Sequence, residues 1–122
     1  MIAQPHRGPA SRDYLHWNPE VQLFASRGYA VLQMNFRGSS GFGSLHRSAG
    51  AREWGQAIQD DITDGVKWLI EQGIADPERI GIYGISYGGY SALMGAIRTP
   101  DLYAAAASYG GVTDLEQMLE DD

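Results

Sequence analysis

The sequence predicts an α/β domain: a parallel sheet with helices on both faces and a sharp turn after a central strand. Three observations carry that prediction. Segments that read as strands and helices alternate in the order strand, helix, strand, helix, strand. The strand segments are short and almost continuously apolar, the pattern of parallel strands covered on both faces rather than of a half-solvated sheet. The stretch G-I-Y-G-I-S-Y-G-G-Y at 81–90 sets one serine, Ser86, between glycines two residues away on each side, where a strand gives way to a helix. Crossovers between such strands are expected to be right-handed.

Met1 to Gln4 fits the end of a strand, and Pro5 to Arg12 reads as a loop. A helix follows, with Asn18 at the N-cap, Pro19 at the first helical position, Val21, Phe24 and Ala25 on one face, and Gly28 just past its end. Ala30 to Met34, broken only by Gln33, reads as a strand buried on both faces. Residues 35–44 form a glycine-rich loop. Ile58, Ile62, Val66 and Leu69 recur at helical spacing and predict a helix from about Gln56 to Glu71, ending near Gly73. Its other side carries Asp60, Asp61, Asp64 and Lys67 for solvent. Asp76-Pro77-Glu78 is a turn, and Arg79 to Tyr83 a strand. A helix after the serine turn runs to about Ile97 and stops before Pro100. Ala104 to Tyr109 is open to two readings: alanine favours helix, while a six-residue run ahead of Gly110-Gly111 suits a third strand. Another helix opens near Thr113.

Composition narrows the function. With 122 residues there is room for one domain with a core, read here as a single unit over 1–122. The net charge of −6, a lone lysine and scattered arginines argue against nucleic acid, which needs clustered basic residues. The absence of cysteine excludes disulfides and thiolate chemistry, and fits a cytoplasmic location. No apolar run approaches the roughly 18 residues of a membrane span. No cofactor or metal is expected: Asp60, Asp61 and Asp64 lack a partner histidine and read as an ordinary charged face.

The spacing G-x-S-x-G is weak by itself, but its setting between a short apolar strand and a helix is the one a nucleophile elbow requires. Glycines at 84 and 88 let strand and helix approach, the turn strains the serine backbone, and the Ser86 hydroxyl is lifted above the carboxyl end of the sheet. The Tyr87 N–H then lies at the positive end of the next helix, where it can meet an oxyanion. The bland alternative is a tight turn with a bystander serine. A phosphate cradle is set aside, since no Gly-Lys-Ser/Thr follows and the G-x-G-x-x-G spacing is missing.

G-I-S-Y-G-G-Y at 84–90 resembles the nucleophile elbow of the prolyl oligopeptidase family of serine peptidases, nearest to its acylaminoacyl-peptidase and dipeptidyl-peptidase branches, which have the α/β-hydrolase fold. His6-Arg7-Gly8-Pro9 resembles the family's His-Gly-Gly-Pro loop. Residues 27–43, 54–61 and 76–84 are similar to its fourth strand and loop, its next helix and its fifth strand. The resemblance implies that Ser86 is the acylating nucleophile and that the Tyr87 backbone N–H is one oxyanion donor. It implies too that the Tyr87 ring lines the pocket for the residue before the cut bond, and that the His6 loop gives the second oxyanion contact. Val112 and Leu115, in the segment after the third strand, are implied to face that pocket. The implied partner is a peptide or acylated small-molecule substrate, with oligomerisation left open.

A serine hydrolase also needs a base and a carboxylate, which in this fold follow the serine in the order Asp or Glu, then His. After Ser86 come Asp101, Asp114, Glu116, Glu120, Asp121 and Asp122, but no histidine. His16 reads as structural or solvated, and His46 as solvated, with a place at a pocket rim as the alternative. Asp114 falls where some α/β-hydrolases place their acid, but it reads better as a carboxylate at a helix N-terminus. The chain therefore reads as a partial α/β-hydrolase domain, missing the remainder of its own domain and inactive alone, with an unpaired strand edge and uncovered apolar faces. A carboxylesterase or acyltransferase on the same fold, or a non-catalytic binding module, are the competing readings.

Overall fold

The computed structural model describes residues 1–121; Asp122 lies outside them. Four parallel strands, β1 (Ile2–Ala3), β2 (Val31–Leu32), β3 (Gly81–Ile85) and β4 (Ala105–Tyr109), form one sheet in the order β2-β1-β3-β4. β1 pairs Ile2 with Val31 on one side and with Gly81 on the other, while β3 pairs Gly81 to Ile85 with Ala105 to Tyr109. Of the ambiguous run 104–109, Ala105–Tyr109 thus resolves as a strand, where its backbone groups pair with β3.

The helices are α1 (Pro19–Ser26), α2 (Ser44–Ser48), α3 (Ala57–Glu71), α4 (Tyr87–Arg98) and α5 (Leu115–Glu120). The Asn18 side chain caps α1 by accepting from the N–H groups of Glu20 and Val21, and Gly28 follows its end at φ 89°. α3 turns Ile58, Ile62 and Val66 inward, all with no exposed surface. Gln59, also buried, donates from Nε2 to the Ser91 carbonyl at 3.1 Å and ties α3 to α4. Ile82 completes this core, and Gly95 brings α4 close enough to touch Ile82 and Tyr103. α1 lies on the opposite face, where Phe24 meets the Tyr83 ring edge-on at 5.9 Å.

Two expectations change. Ala30 to Met34 is not a strand buried on both faces: only Val31–Leu32 pair, and both are half-buried, because β2 is an edge strand. β3 lies two residues later than expected, since its ladder with β4 continues through Gly84 and Ile85 up to the serine itself. α2 follows directly on the glycine-rich loop, in a stretch for which no element was expected. At the far side β4 is exposed along its length, and its outer edge has no partner strand among the described residues.

The loop after β2 is fastened to α3. The Arg37 guanidinium grips Asp61 through two hydrogen bonds of 2.8 Å, and the Arg37 backbone N–H adds a third at 3.0 Å. Asp61 is therefore a tether rather than part of a solvated face, and Asp60 pairs with Arg98 at 3.0 Å. Burial alone would raise the Asp61 carboxyl, but these bonds and the guanidinium charge outweigh it and hold the carboxyl below its ordinary value. A carboxyl lowered in the folded state adds stability that is complete above its unfolded value, near pH 4, and is lost as pH falls below that. Acid titration of stability should thus show a shallower loss below pH 4 for Asp61→Asn than for the parent; identical slopes in denaturant unfolding would contradict the tether.

Candidate active site

Ser86 sits between the last residue of β3 and the first of α4 with φ 58° and ψ −120°. A side-chain-bearing residue held there costs on the order of 1–3 kcal/mol and needs support from its surroundings. The Ser86 N–H donates to the Tyr109 carbonyl at the end of β4, and its carbonyl accepts from the Tyr90 N–H, each at 3.1 Å. Glycines make the bend sterically feasible. A Cβ on Gly84 would lie 2.2 Å from the Gly88 carbonyl carbon, and one on Gly88 would lie 2.1 Å from the Pro5 oxygen. A Cβ on Gly89 would lie 2.8 Å from the Gly111 Cα. Strand, helix and two neighbouring loops thus meet backbone to backbone around the serine.

The outcome is an exposed Ser86 followed at once by a buried Tyr87. The N–H of Tyr87 opens the 12-residue α4, where amides have no intrahelical acceptor and the helix dipole favours negative charge. Its ring was expected to line the pocket for the residue before the cut bond. It is wholly buried in an aromatic layer, 4.5 Å from Trp54, 5.7 Å from Tyr90 and 5.8 Å from Phe36 by ring centroids. Burial pushes its phenol far above the ordinary value, so it stays neutral. The ring anchors the elbow from beneath.

The His6 loop reaches the elbow through its backbone: the Pro5 and His6 carbonyls both face Gly88. Both ring nitrogens of His6 are occupied elsewhere. Nδ1 lies 2.7 Å from the Arg7 carbonyl and must donate, which in the neutral ring leaves Nε2 to accept from the Ser39 hydroxyl at 2.8 Å. The buried ring stacks on Phe36 at 4.3 Å.

Other candidates lie apart from this cluster. His46 hydrogen-bonds the Phe36 carbonyl at 2.9 Å, a structural contact rather than a solvated one, and exposed His16 bonds the Tyr14 carbonyl. No histidine hydrogen-bonds Ser86 among the described residues. Asp114 caps α5 by accepting from the Gln117 N–H at 3.0 Å, as its position suggested. Val112 is half-buried against the core and Leu115 is exposed at the start of α5.

Sequence reading missed Ser39, Phe36 and Trp54, which with His6 and Tyr87 form the layer under the turn. A polar residue in a glycine-rich loop gives no periodic signal, so only its partner could reveal Ser39. For Trp54 the signal was present, a large aromatic three residues before the start of α3, but it names no partner.

The prolyl oligopeptidase family matches residues 15–122. The chain is 42% identical over 119 residues to dipeptidyl aminopeptidase BIII of Pseudoxanthomonas mexicana, covering 98% of this chain and 17% of that protein. Among solved structures, a puromycin-hydrolyzing peptidase of Mycobacterium tuberculosis superposes with a TM-score of 0.92 at 37% identity, over 98% of this chain and 18% of that one. An acylaminoacyl peptidase of Pyrococcus horikoshii gives 0.84 at 35% identity, over 92% of this chain and 18% of that one. The chain thus spans about a sixth of the length of these relatives.

Because the Gly88 contact is with backbone, no rotamer change can relieve a methyl group there. Gly88→Ala should destabilise the fold by about 1–3 kcal/mol or more, read as a lowered midpoint in thermal unfolding. An unchanged midpoint would show that the His6 loop does not press on the elbow.

Proposed function

Since this chain belongs to the prolyl oligopeptidase family, we propose that it supplies the nucleophile, Ser86, of a serine peptidase that cleaves short peptides through an acyl-enzyme. The observation that carries this reading is the Ser86 backbone. Among the described residues only Arg52 and Ser86 have positive φ without being glycine, and Arg52 lies in an exposed turn before α3. At Ser86 the strained backbone belongs to an exposed residue at the N-terminus of α4, the setting in which a hydroxyl would be presented for attack.

In the proposed reaction the Ser86 Oγ attacks the scissile carbonyl carbon while a base accepts the hydroxyl proton. Charge gathers on the carbonyl oxygen, where the Tyr87 N–H and an N–H of the His6 loop stabilise it. The C–N bond then breaks, the base passes its proton to the departing amine, and the acyl group remains as an ester on Ser86. Water hydrolyses that ester and the serine regains its proton. The order of the fold puts the base and its carboxylate after the nucleophile. All three histidines here precede Ser86, so both roles are assigned to residues of the full-length protein beyond this stretch. Without them, only about 10³–10⁴-fold acceleration over water is expected from the oxyanion site and binding. Val112 and Leu115 are proposed to face the side chain before the cut bond. The names of the relatives, a dipeptidyl aminopeptidase and an acylaminoacyl peptidase, support a peptide over a simple ester.

In the full-length protein, Ser86→Ala should lower turnover of an aminoacyl anilide by about 10⁴–10⁶-fold with unchanged circular dichroism and melting. Undiminished turnover would refute the assignment. An acyl ester measured alongside distinguishes an esterase, for which the ester would be the better substrate.

A further inference from the structure

We propose that Ser39 is a positioning residue for the reaction assigned to Ser86: its hydroxyl fixes the His6 ring, and through the ring the backbone of the loop that would meet the oxyanion. The inference rests on the functional reading above.

Ser39 has no exposed surface, and its hydroxyl meets His6 Nε2 at 2.8 Å. The Nδ1–H bond to the Arg7 carbonyl selects one tautomer of the neutral ring, in which Nε2 accepts from the Ser39 hydroxyl. Phe36 stacks on the ring with only 19° between the planes. The ring is thereby held by a donor, by an aromatic face and by its own loop.

The loop that bears Ser39 is anchored independently of His6. Arg37 is clamped to Asp61 on α3. The Gly38 N–H donates to the His46 carbonyl of α2 at 2.9 Å, and Gly38, at φ 96°, presses against Gly50. The Ser39 N–H donates to the Phe36 carbonyl within the same turn, while the Ser40 N–H donates to the Ser11 carbonyl and so meets the loop that bears His6 a second time. The other side of the contact is functional: the carbonyls of Pro5 and His6 lie against Gly88, two residues beyond the nucleophile. The His6 ring is therefore a strut between an anchored loop and the loop beside the elbow. Removing the Ser39 hydroxyl leaves a buried ring nitrogen unpaired, and the ring must turn or admit water. The loop backbone moves with it. Displacement of a reacting group by about an ångström costs on the order of 100-fold in rate.

The test uses the full-length enzyme with Ser39→Ala, Ser39→Cys and Ser86→Ala. Substrate kinetics are paired with affinities for a peptide aldehyde, whose adduct on Ser86 places an oxygen at the oxyanion position, and for the product peptide. Ser39→Ala should lower kcat and aldehyde affinity together by about 10–100-fold, with KM and product affinity held within about twofold. The cysteine variant, a weaker donor, should fall between. Unchanged kcat and aldehyde affinity overturn the inference; so does a parallel loss of aldehyde and product affinity, which marks a merely structural role. If the alanine variant does not fold, the cysteine variant is read by the same criterion, and failure of both to fold makes Ser39 a folding residue and overturns the proposal. Wild-type behaviour of Ser39→Ala beside an inactive Ser86→Ala sinks this inference alone, whereas an active Ser86→Ala sinks the nucleophile assignment beneath it.

Discussion

At Ser86 the backbone sits at φ 58° and ψ −120°, and three surroundings hold it there. The end of β4 takes its N–H, the first turn of α4 takes its carbonyl, and the buried ring of the next residue fixes the helix from below. The conformation costs on the order of 1–3 kcal/mol. Full burial of one large aromatic side chain contributes about as much in the other direction. The strain is therefore sustained by ordinary packing, provided that Gly84, Gly88 and Gly89 let the neighbouring backbones come within reach.

Strand order explains why the other parts gather at the same place. In a parallel sheet every strand ends on one side, and ligands bind beyond those ends. β1 lies next to β3, so the loop that leaves β1, with His6, emerges beside the elbow that leaves β3. β2 lies next to β1, so the loop that leaves it, with Ser39, falls against His6. β4 lies on the other side of β3 and delivers the Tyr109 carbonyl and Gly111. Residues far apart in sequence become one site because four short strands point the same way.

The parts of this arrangement that were legible in the sequence are those with local signatures. Asn18-Pro19 marked the start of α1, and Ile58, Ile62 and Val66 marked the buried side of α3. The glycines around Ser86 marked the turn. What escaped reading depends on partners. β2 shrank to two paired residues because an edge strand has fewer neighbours to bury against. β3 ran on to Ile85 because β4 pairs with it that far, which no single strand reveals. Asp61 looked solvated until Arg37 was brought to it by the loop after β2. The Tyr87 ring turned inward because Phe36, Trp54 and Tyr90 enclose it from separate elements.

The central claim is that one hydroxyl in this stretch is presented for acylation. Treating the full-length protein with a fluorophosphonate and mapping the adduct by peptide mass spectrometry tests it directly. The account predicts a single stoichiometric adduct on Ser86. An adduct on another residue, such as Ser91 or Ser108, with Ser86 unmodified would contradict it.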